Sequence, residues 1–300
     1  IDHPIDHLAR IKNLRSNDII TLMDRNDVNN LLYFGYTFEN TYMLPHAAIE
    51  LSLEKEEKII DILVSGTYSD VSKYKSFLEN LPPTLFKISK EVIDICLLDS
   101  KRYYIDEFVN SFKKKGVPIN LYIEENPGLI NILQIIGRYI YSINRLRVIN
   151  ALAEAGINID IYGNGWENSN LVNYSNVRIN KPVNYWQTQK LLRQAKIVLS
   201  FQALLRDGTH ERVFAGMASN SVVVTNETPY LKEIFQSEKE LIFYNFNDLR
   251  TMVEKCEEIL KDEKKREEIS NAAWLAINGK HTFDQRAEQI LYIFNDSIKY

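Results

Sequence analysis

The amino-acid sequence predicts an α/β protein with a Rossmann-like parallel sheet. From about Ile143 onward, short apolar, β-branched runs alternate with amphipathic stretches roughly every twenty residues, which is the pattern of successive βα units. An earlier apolar run at residues 59–65 stops at Gly66-Thr67, and we expect it to be the first strand of the same sheet. The 300 residues correspond to about two domains, at roughly 150 residues per domain.

Each element can be placed from its local pattern. We expect strands at residues 19–23, 41–44, 59–65, 158–162, 177–180, 197–201, 221–225 and 241–244. We expect helices at residues 143–155, 184–194, 210–219, 229–235 and 247–261. Gly156 ends the first of these helices as a C-cap, and the spacing of its apolar residues places Arg145 and Asn150 on its polar face.

A long insertion interrupts the βα pattern. Residues 68–142 exceed what a simple crossover needs and contain helical patterns at 103–115, closed by Gly116, and at 129–142, so we expect a helical insertion. Residues 1–49 contain too few βα units for a complete domain. The sequence also starts with Ile rather than Met, and we therefore expect it to be the C-terminal part of a longer protein.

Composition excludes several classes of protein. Lys plus Arg number 36 against 40 Asp plus Glu, for a formal net charge of −4, and the cations are scattered, which argues against nucleic-acid binding. Cys96 and Cys256 lie far apart without metal-ligand spacing, which predicts no metal site and a reducing compartment. No apolar run reaches a membrane span and no signal peptide is visible, so we expect a cytoplasmic protein.

The first motif is a strand that runs into two glycines, Gly163 and Gly165, followed by Trp166. Glycines at the carboxyl edge of a sheet allow the backbone to come close to a ligand. A GxGxxG fingerprint would need glycine where Asn168 stands, which argues against a dinucleotide cofactor. The alternative is a tight turn in which Trp166 is only a packing anchor.

The second motif directly follows the strand predicted at 197–201. It comprises the ionisable and small residues Asp207, Gly208, Thr209, His210, Glu211 and Arg212, at the start of a predicted helix. We expect Thr209 to be the N-cap. A helix N-terminus favours anions, whereas Arg212 in the first turn is electrostatically unfavourable unless an anion is bound there. The motif therefore predicts a diphosphate site.

A third group of residues lies near the beginning of the chain. His3 and His7 each follow an aspartate, and a histidine beside a carboxylate is suited to act as a general base. The alternative is that these residues cap turns. The sequence contains no DxD, GxxxxGK[ST], HExxH or GxSxG motif, which argues against P-loop kinases, zincins and α/β-hydrolases.

These motifs together resemble a known family. Residues 208–220 (GTHERVFAGMASN), 161–166 (IYGNGW), 281–283 (HTF) and 44–47 (LPHA) resemble the nucleotide-sugar-binding domain of GT-B fold glycosyltransferases of the group 1 family. Within that family the sequence is most similar to the CgeB-like proteins, which share an H-x-R-V-F core. The Asp2-His3-Pro4 segment is similar to a motif of the same group.

The resemblance implies an enzyme that transfers a sugar from a nucleoside-diphosphate sugar, its co-substrate, to an unknown glycan, protein or small-molecule acceptor. It assigns residues 50–300 to a donor-binding domain with the insertion, and residues 1–49 to the end of an acceptor domain. Neither a cofactor nor a metal is implied. The donor-binding residues it implies are Gly66, Thr67, Gly163, Gly165, Trp166, Lys181, Tyr185, Asp207, Gly208, Thr209, His210, Glu211 and Arg212.

Individual roles follow from the same resemblance. Tyr185 is expected beside the nucleobase, and His3 or His7 is expected to activate the acceptor hydroxyl. In the wider E-x7-E pattern Asp207 takes the first position, but the second acid, which contacts the donor ribose, is replaced by Ala215. Glu211 is the candidate to replace it. Two alternatives remain, a nucleotide-sugar 2-epimerase of the same fold and a non-catalytic nucleotide-sugar-binding domain.

Overall fold

The computed structural model describes residues 4–15, 17–49, 56–202 and 204–297. The strands are β1 (Ile19–Leu22), β2 (Asn40–Met43), β3 (Ile60–Ser65), β4 (Ile159–Tyr162), β5 (Val177–Asn180), β6 (Ala195–Ser200), β7 (Val222–Asn226) and β8 (Ile242–Tyr244). The helices are α1 (Leu8–Ile11), α2 (Asp27–Tyr33), α3 (Val71–Glu79), α4 (Pro83–Leu98), α5 (Tyr104–Lys113), α6 (Ile119–Glu125), α7 (Gly128–Glu154), α8 (Tyr185–Gln194), α9 (Glu211–Ala218), α10 (Pro229–Ile234), α11 (Leu249–Lys261), α12 (Glu263–Ile277) and α13 (Phe283–Ser297).

Six of the strands form one parallel sheet in the order β5-β4-β3-β6-β7-β8. The chain builds one half of the sheet outward from β3 and then returns to build the other half from β6. Ligands of open α/β sheets bind at this switch point, outside the carboxyl ends of the strands. The predicted α/β fold with a Rossmann-like sheet is confirmed.

The predicted strands lie within two residues of the observed ones. Their β-branched runs are almost wholly buried, as expected for a parallel sheet covered by helices on both faces. The largest shift is at β6, which starts two residues earlier than predicted because Ala195 pairs with Ile60. The start of β6 was therefore determined by its partner strand.

The insertion is helical, but no break in the structure marks its predicted end at residue 142. The helices predicted at 129–142 and 143–155 are one continuous helix, α7, because no breaking residue separates them. The predicted polar face was wrong for Arg145, which is 3% exposed. The first half of α7 packs with α4 and α5 in a separate apolar core, and its second half packs on the sheet. This one helix therefore ties the insertion to the sheet.

The first 49 residues contribute a small second sheet. Strands β1 and β2 pair in parallel and enclose a core of Ile11, Ile20, Leu22 and Leu31. Residues 50–55, which directly follow the predicted domain boundary, lie outside the described residues. The domain division at residue 49 stays a prediction.

The segment before that boundary contacts the start of α13. The backbone N–H of Ala48 donates to the carbonyl of His281, and Arg286 donates to the carbonyl oxygens of Pro45 and His46. The His281 ring stacks on Phe214 of α9 with 5.3 Å between ring centroids. These contacts join the first 49 residues to the helix that carries the second motif.

The pH dependence of stability is expected to report on His281. Burial, and then the charge of Arg286, lower the pKa of this imidazole to about 4, and Arg286 Nη2 lies 3.2 Å from its Nδ1. In the unfolded chain the same group takes up a proton near pH 6.5. Its contribution to stability is therefore complete above about pH 6.5 and is lost as the pH falls toward about 4.

This expectation can be checked by thermal unfolding. The melting temperature of the native chain should fall between pH 6.5 and 5, and His281→Phe, which keeps a ring against Phe214, should flatten this part of the profile. An unchanged slope in the variant would show that other groups cause the loss.

Candidate functional site

The carboxyl ends of β3 and β4 meet through glycines. A Cβ atom built on Gly163, whose φ is +157°, would lie 2.2 Å from the carbonyl oxygen of Gly66. One on Gly165 would lie 2.3 Å from the carbonyl oxygen of Tyr68. Only glycine fits such contacts, so the sequence pattern Gly163-x-Gly165 is required for the two strand-end loops to dock against each other.

Trp166 is fully buried beneath these loops. Its ring stacks on Tyr68 with 5.0 Å between centroids, and its Nε1–H donates to the carbonyl of Gly66 at 2.7 Å. The indole therefore stabilises the turn at Gly66 through this hydrogen bond. Because the side chain is not exposed, it cannot contact a ligand directly. The packing-anchor interpretation describes its environment.

The N-cap of helix α9 lies one residue later than predicted. The prediction that Thr209 is the N-cap was wrong: its side chain is fully buried, and His210 caps the helix by accepting the N–H of Arg212 on its Nδ1. The backbone N–H of His210 in turn donates to Gln202 Oε1 at 2.7 Å. Residues at the end of β6 thus fix the start of α9.

Two guanidinium groups converge on Gly66. Arg212 donates from Nε to Ser65 Oγ at 3.0 Å, and Arg145 donates from Nη1 to the carbonyl of Thr67 at 2.6 Å. A Cβ atom on Gly66 would lie 3.3 Å from Nη2 of Arg212 and 3.7 Å from Nη2 of Arg145. Among the described residues, neither arginine forms an ion pair with a carboxylate. We call Arg145, Arg212 and Gly66 the arginine cradle.

The surroundings of Arg145 are unusual for a cation. Its guanidinium lies against the rings of Tyr141, Trp166 and Phe201, at 4.7 to 5.3 Å from their centroids. Its buried Nε has no hydrogen-bond partner within the described ranges. Burial lowers the pKa of Arg145, and the charge of Arg212 lowers it further. A buried cation without a counter-ion is costly, and an anion bound in the arginine cradle would supply that counter-ion.

A cavity of about 280 Å³ opens beside the arginine cradle at the switch point. The predicted donor-binding residues that line it are Gly66, Thr67, Gly163, Tyr185, His210, Glu211 and Arg212. Ala215 also lines it, one turn beyond Glu211, and the hydroxyl of Tyr185 donates to Glu211 Oε1 at 3.0 Å. The structure therefore brings more than half of the predicted site together.

The other predicted donor-binding residues lie outside this cavity lining. Gly165 and Trp166 support the loops from below, and Lys181 is exposed after β5. Asp207, Gly208 and Thr209 form the loop that leads into α9. Their direct contact with a donor stays a prediction.

The loop before α9 is held by Asp24, which follows β1. The carboxylate of Asp24 is 2% exposed and accepts the backbone N–H groups of Arg206, Asp207 and Asn26, at 2.5 to 3.1 Å. A Cβ atom on Gly208 would lie 2.4 Å from the carbonyl oxygen of Met23, so this contact requires glycine. The first 49 residues thus position the predicted diphosphate loop.

Removing this carboxylate is expected to destabilise the protein. Asp24→Ala would leave three backbone donors without their acceptor, and we expect the free energy of unfolding to fall by about 3 kcal/mol. Urea unfolding measures this change. Asp24→Asn keeps one acceptor oxygen and should lose less. Glu39→Ala removes an exposed carboxylate of the same segment and should change stability little.

The structure tests the position of only one of the two histidines proposed as bases. His3 lies outside the described residues, and His7 precedes α1, where the neighbouring Asp6 contacts Gln134 and Arg138 of α7. His7 is absent from the lining of the cavities found among the described residues. Its catalytic role stays a prediction.

Sequence reasoning missed three important residues. Arg145 was expected on the polar face of its helix, and no binding role was assigned to it. Asp24 binds the backbone N–H of Asp207, 183 residues away along the chain, and Gln202 binds that of His210 across an irregular loop. No local sequence pattern predicts either contact.

Two features are absent from the described residues. No group of three or more His, Cys, Asp or Glu side chains in them is arranged to hold a metal ion. No helix in the same part of the chain has the length and apolar character that a membrane crossing requires. The predicted cytoplasmic location and the predicted lack of a cofactor remain predictions.

Comparison with known proteins identifies the fold. Residues 145–292 match a protein family described as glycosyl transferase-like. No curated protein sequence matches the chain significantly.

Solved structures agree with that match. A mutant of TarM from S. aureus, in complex with fondaparinux, α-GlcNAc-glycerol and UDP, has a TM-score of 0.54 at 14% identity and covers 96% of this chain and 46% of its own. HepE from Anabaena, in complex with UDP and glucose, has a TM-score of 0.58 at 9% identity over 97% and 66% of the two chains. A glycosyltransferase from Rickettsia africae has a TM-score of 0.52 at 11% identity over 100% and 69%.

These likenesses confirm the fold and the resemblance to GT-B glycosyltransferases. The chain spans about half the length of TarM. The finer assignment to the CgeB-like group stays a prediction.

Proposed function

The chain has the GT-B glycosyltransferase fold, and we propose that it binds a nucleoside-diphosphate sugar at the arginine cradle and transfers the sugar to an acceptor hydroxyl. The observation that carries this proposal is a pair of guanidinium groups, Arg145 and Arg212, beside Gly66 at the switch point of the sheet. Neither group pairs with a carboxylate of the described residues. In the transfer, the bond between the anomeric carbon and the diphosphate oxygen breaks, and the acceptor oxygen bonds to that carbon and loses its proton.

The arginine cradle would act mainly on the leaving group. Negative charge develops on the diphosphate as the bond to the sugar breaks, and fixed cations in a site shielded from water stabilise that charge. Arg212 is held by Ser65 and Arg145 by Thr67, so neither needs to reorganise during the reaction. Because two cations and the positive end of α9 are available, we propose that leaving-group stabilisation proceeds without a metal.

The nucleoside would occupy the part of the cavity toward β4 and α8. Tyr185 lies there with its hydroxyl on Glu211, and burial and the charge of Glu211 raise the pKa of this phenol to about 12. The phenol therefore stays protonated and keeps donating to Glu211. We propose that Tyr185 packs against the base and that Glu211 takes the ribose contact in place of Ala215.

Arg212→Ala tests this proposal with UDP as the probe, since UDP occupies the structures of TarM and HepE. We expect the dissociation constant for UDP to rise by about 10- to 100-fold, because a hydrogen bond to a charged group is worth about 1.5–3 kcal/mol. Isothermal titration calorimetry measures this change, and GDP, ADP and CDP should be titrated in parallel.

The matched control is Arg250→Ala, which removes an exposed arginine on α11 and should leave the affinity unchanged. If the Arg212→Ala variant unfolds, Arg212 is structural and the assignment is wrong. Incubation with UDP-sugars then separates the alternatives: slow release of free sugar supports a transferase, and release of a 2-epimerised sugar would contradict it.

A further inference from the structure

A second, larger cavity lies at the same edge of the sheet. It has a volume of about 510 Å³ and lies between the helical insertion and the carboxyl ends of β6, β7 and β8. We call it the insertion pocket. Its volume is within the range of small-molecule sites, roughly 300–1,000 Å³. The arginine cradle does not line it, so this cavity needs a different explanation.

Gln202 lies between the two cavities. It lines the insertion pocket, and its amide group bonds to Ser200, Thr225 and the backbone N–H of His210, the N-cap of α9. One rigid side chain therefore separates the pocket from the residue that starts the diphosphate helix. A ligand in the insertion pocket would lie next to the reacting end of a donor held at the arginine cradle.

The floor of the pocket offers neutral hydrogen-bonding groups. Asn144 and Asn226 are 4% and 8% exposed, and their oxygens are engaged by Arg147 and by the backbone of Gln202. Their amide nitrogens have no acceptor among the described residues. Buried tyrosines complete the floor, among them Tyr244. Amide donors beside aromatic rings suit a hydroxyl-rich ligand.

The rim of the pocket is positively charged. Lys101, Arg102, Arg206 and Lys232 line it, whereas Glu227 is the acidic residue among its lining side chains. Carboxylates pair with three of these cations, and Lys101 forms no ion pair with any described residue. A rim with this excess of cations attracts an anionic group on a ligand.

We propose that the insertion pocket binds the acceptor, and that the acceptor is a saccharide with an anionic substituent. This inference rests on the proposed function, because it uses the donor site to explain what the pocket faces. The amide floor would bind sugar hydroxyls, and Lys101 and Lys232 would bind the anion. The insertion would then supply acceptor contacts that the sequence assigned to the first domain alone.

Matched saccharides test the proposal in the presence of saturating UDP. The probes are a hyaluronan tetrasaccharide against neutral chitotetraose, and glucose 6-phosphate against glucose. We expect at least one anionic probe to bind about tenfold more tightly than its neutral match in calorimetry. The double variant Lys101→Glu with Lys232→Glu should abolish this preference and leave the UDP affinity and the melting temperature unchanged.

A double variant of exposed lysines away from the pocket, Lys75→Glu with Lys264→Glu, has the same change in net charge and should keep the preference. The proposal is overturned if neutral and anionic probes bind equally, if no probe binds, or if both double variants behave alike. In each case, UDP binding by the native chain would still support the proposed function. If the native chain does not bind UDP, the proposed function and the acceptor proposal are both wrong.

Discussion

Arg145→Met is expected to raise the melting temperature of the protein and to weaken UDP binding at least tenfold. The guanidinium is buried against three aromatic rings, and the described part of the chain offers it no carboxylate partner and its Nε no acceptor. Replacing a buried, unpaired charge by an apolar side chain of similar length removes a desolvation cost of several kcal/mol. That gain exceeds the loss of one charge-assisted hydrogen bond to Thr67, about 1.5–3 kcal/mol.

The opposite signs of the two effects make this variant informative. Removal of an arginine that stabilises the fold lowers the melting temperature. Removal of an arginine that serves binding and costs stability raises it. Thermal unfolding without nucleotide and calorimetry with UDP measure the two effects. Arg138→Met, on an exposed turn of the same helix, should change neither by much. A destabilised Arg145→Met variant with unchanged UDP affinity would contradict the account.

Gly163→Ala is expected to abolish UDP binding and to lower the free energy of unfolding by about 3 kcal/mol. The added methyl would lie 2.2 Å from the carbonyl oxygen of Gly66 and 3.2 Å from the backbone nitrogen of Thr67. Both contacts are with backbone, so the loops after β3 and β4 must separate. Gly66 would then move away from Arg145 and Arg212.

Gly116→Ala is the matched control for this variant. Gly116 has a φ of +72°, but a Cβ atom on it would meet nothing within 4 Å. We expect it to cost only about 1 kcal/mol of conformational free energy and to leave UDP binding unchanged. Equal losses in both variants would show that backbone conformation, and not the contact with Gly66, explains the effect of Gly163→Ala.

Strands were predictable from the sequence because each is a short β-branched run that a glycine or polar turn ends. The apolar run before Gly66 and the run before Gly163 are clear examples, and both strands end where expected. The junction of the two predicted helices within α7 was not predictable, since a helical period continues through residues 142 and 143 without a breaking residue.

The candidate site was predictable only where it is local. The segment from His210 to Arg212 shows the start of a helix and an unfavourable first-turn cation in a single stretch. Asp24 holds the loop before that stretch, and Arg145 lies with Arg212 beside Gly66. Both come from more than fifty residues away, so their roles depend on how the chain folds back. The cap assigned to Thr209 shows the same limit, because tertiary burial of its side chain gave the role to His210.

Calorimetric titration of the native chain with UDP, UMP and uridine tests the central claim most directly. If Arg145 and Arg212 form the binding site for a diphosphate, UDP binds most tightly, UMP more weakly and uridine most weakly, and added salt reduces the differences. Uridine that binds as tightly as UDP, or the lack of any binding by UDP and the other nucleoside diphosphates, would contradict the claim.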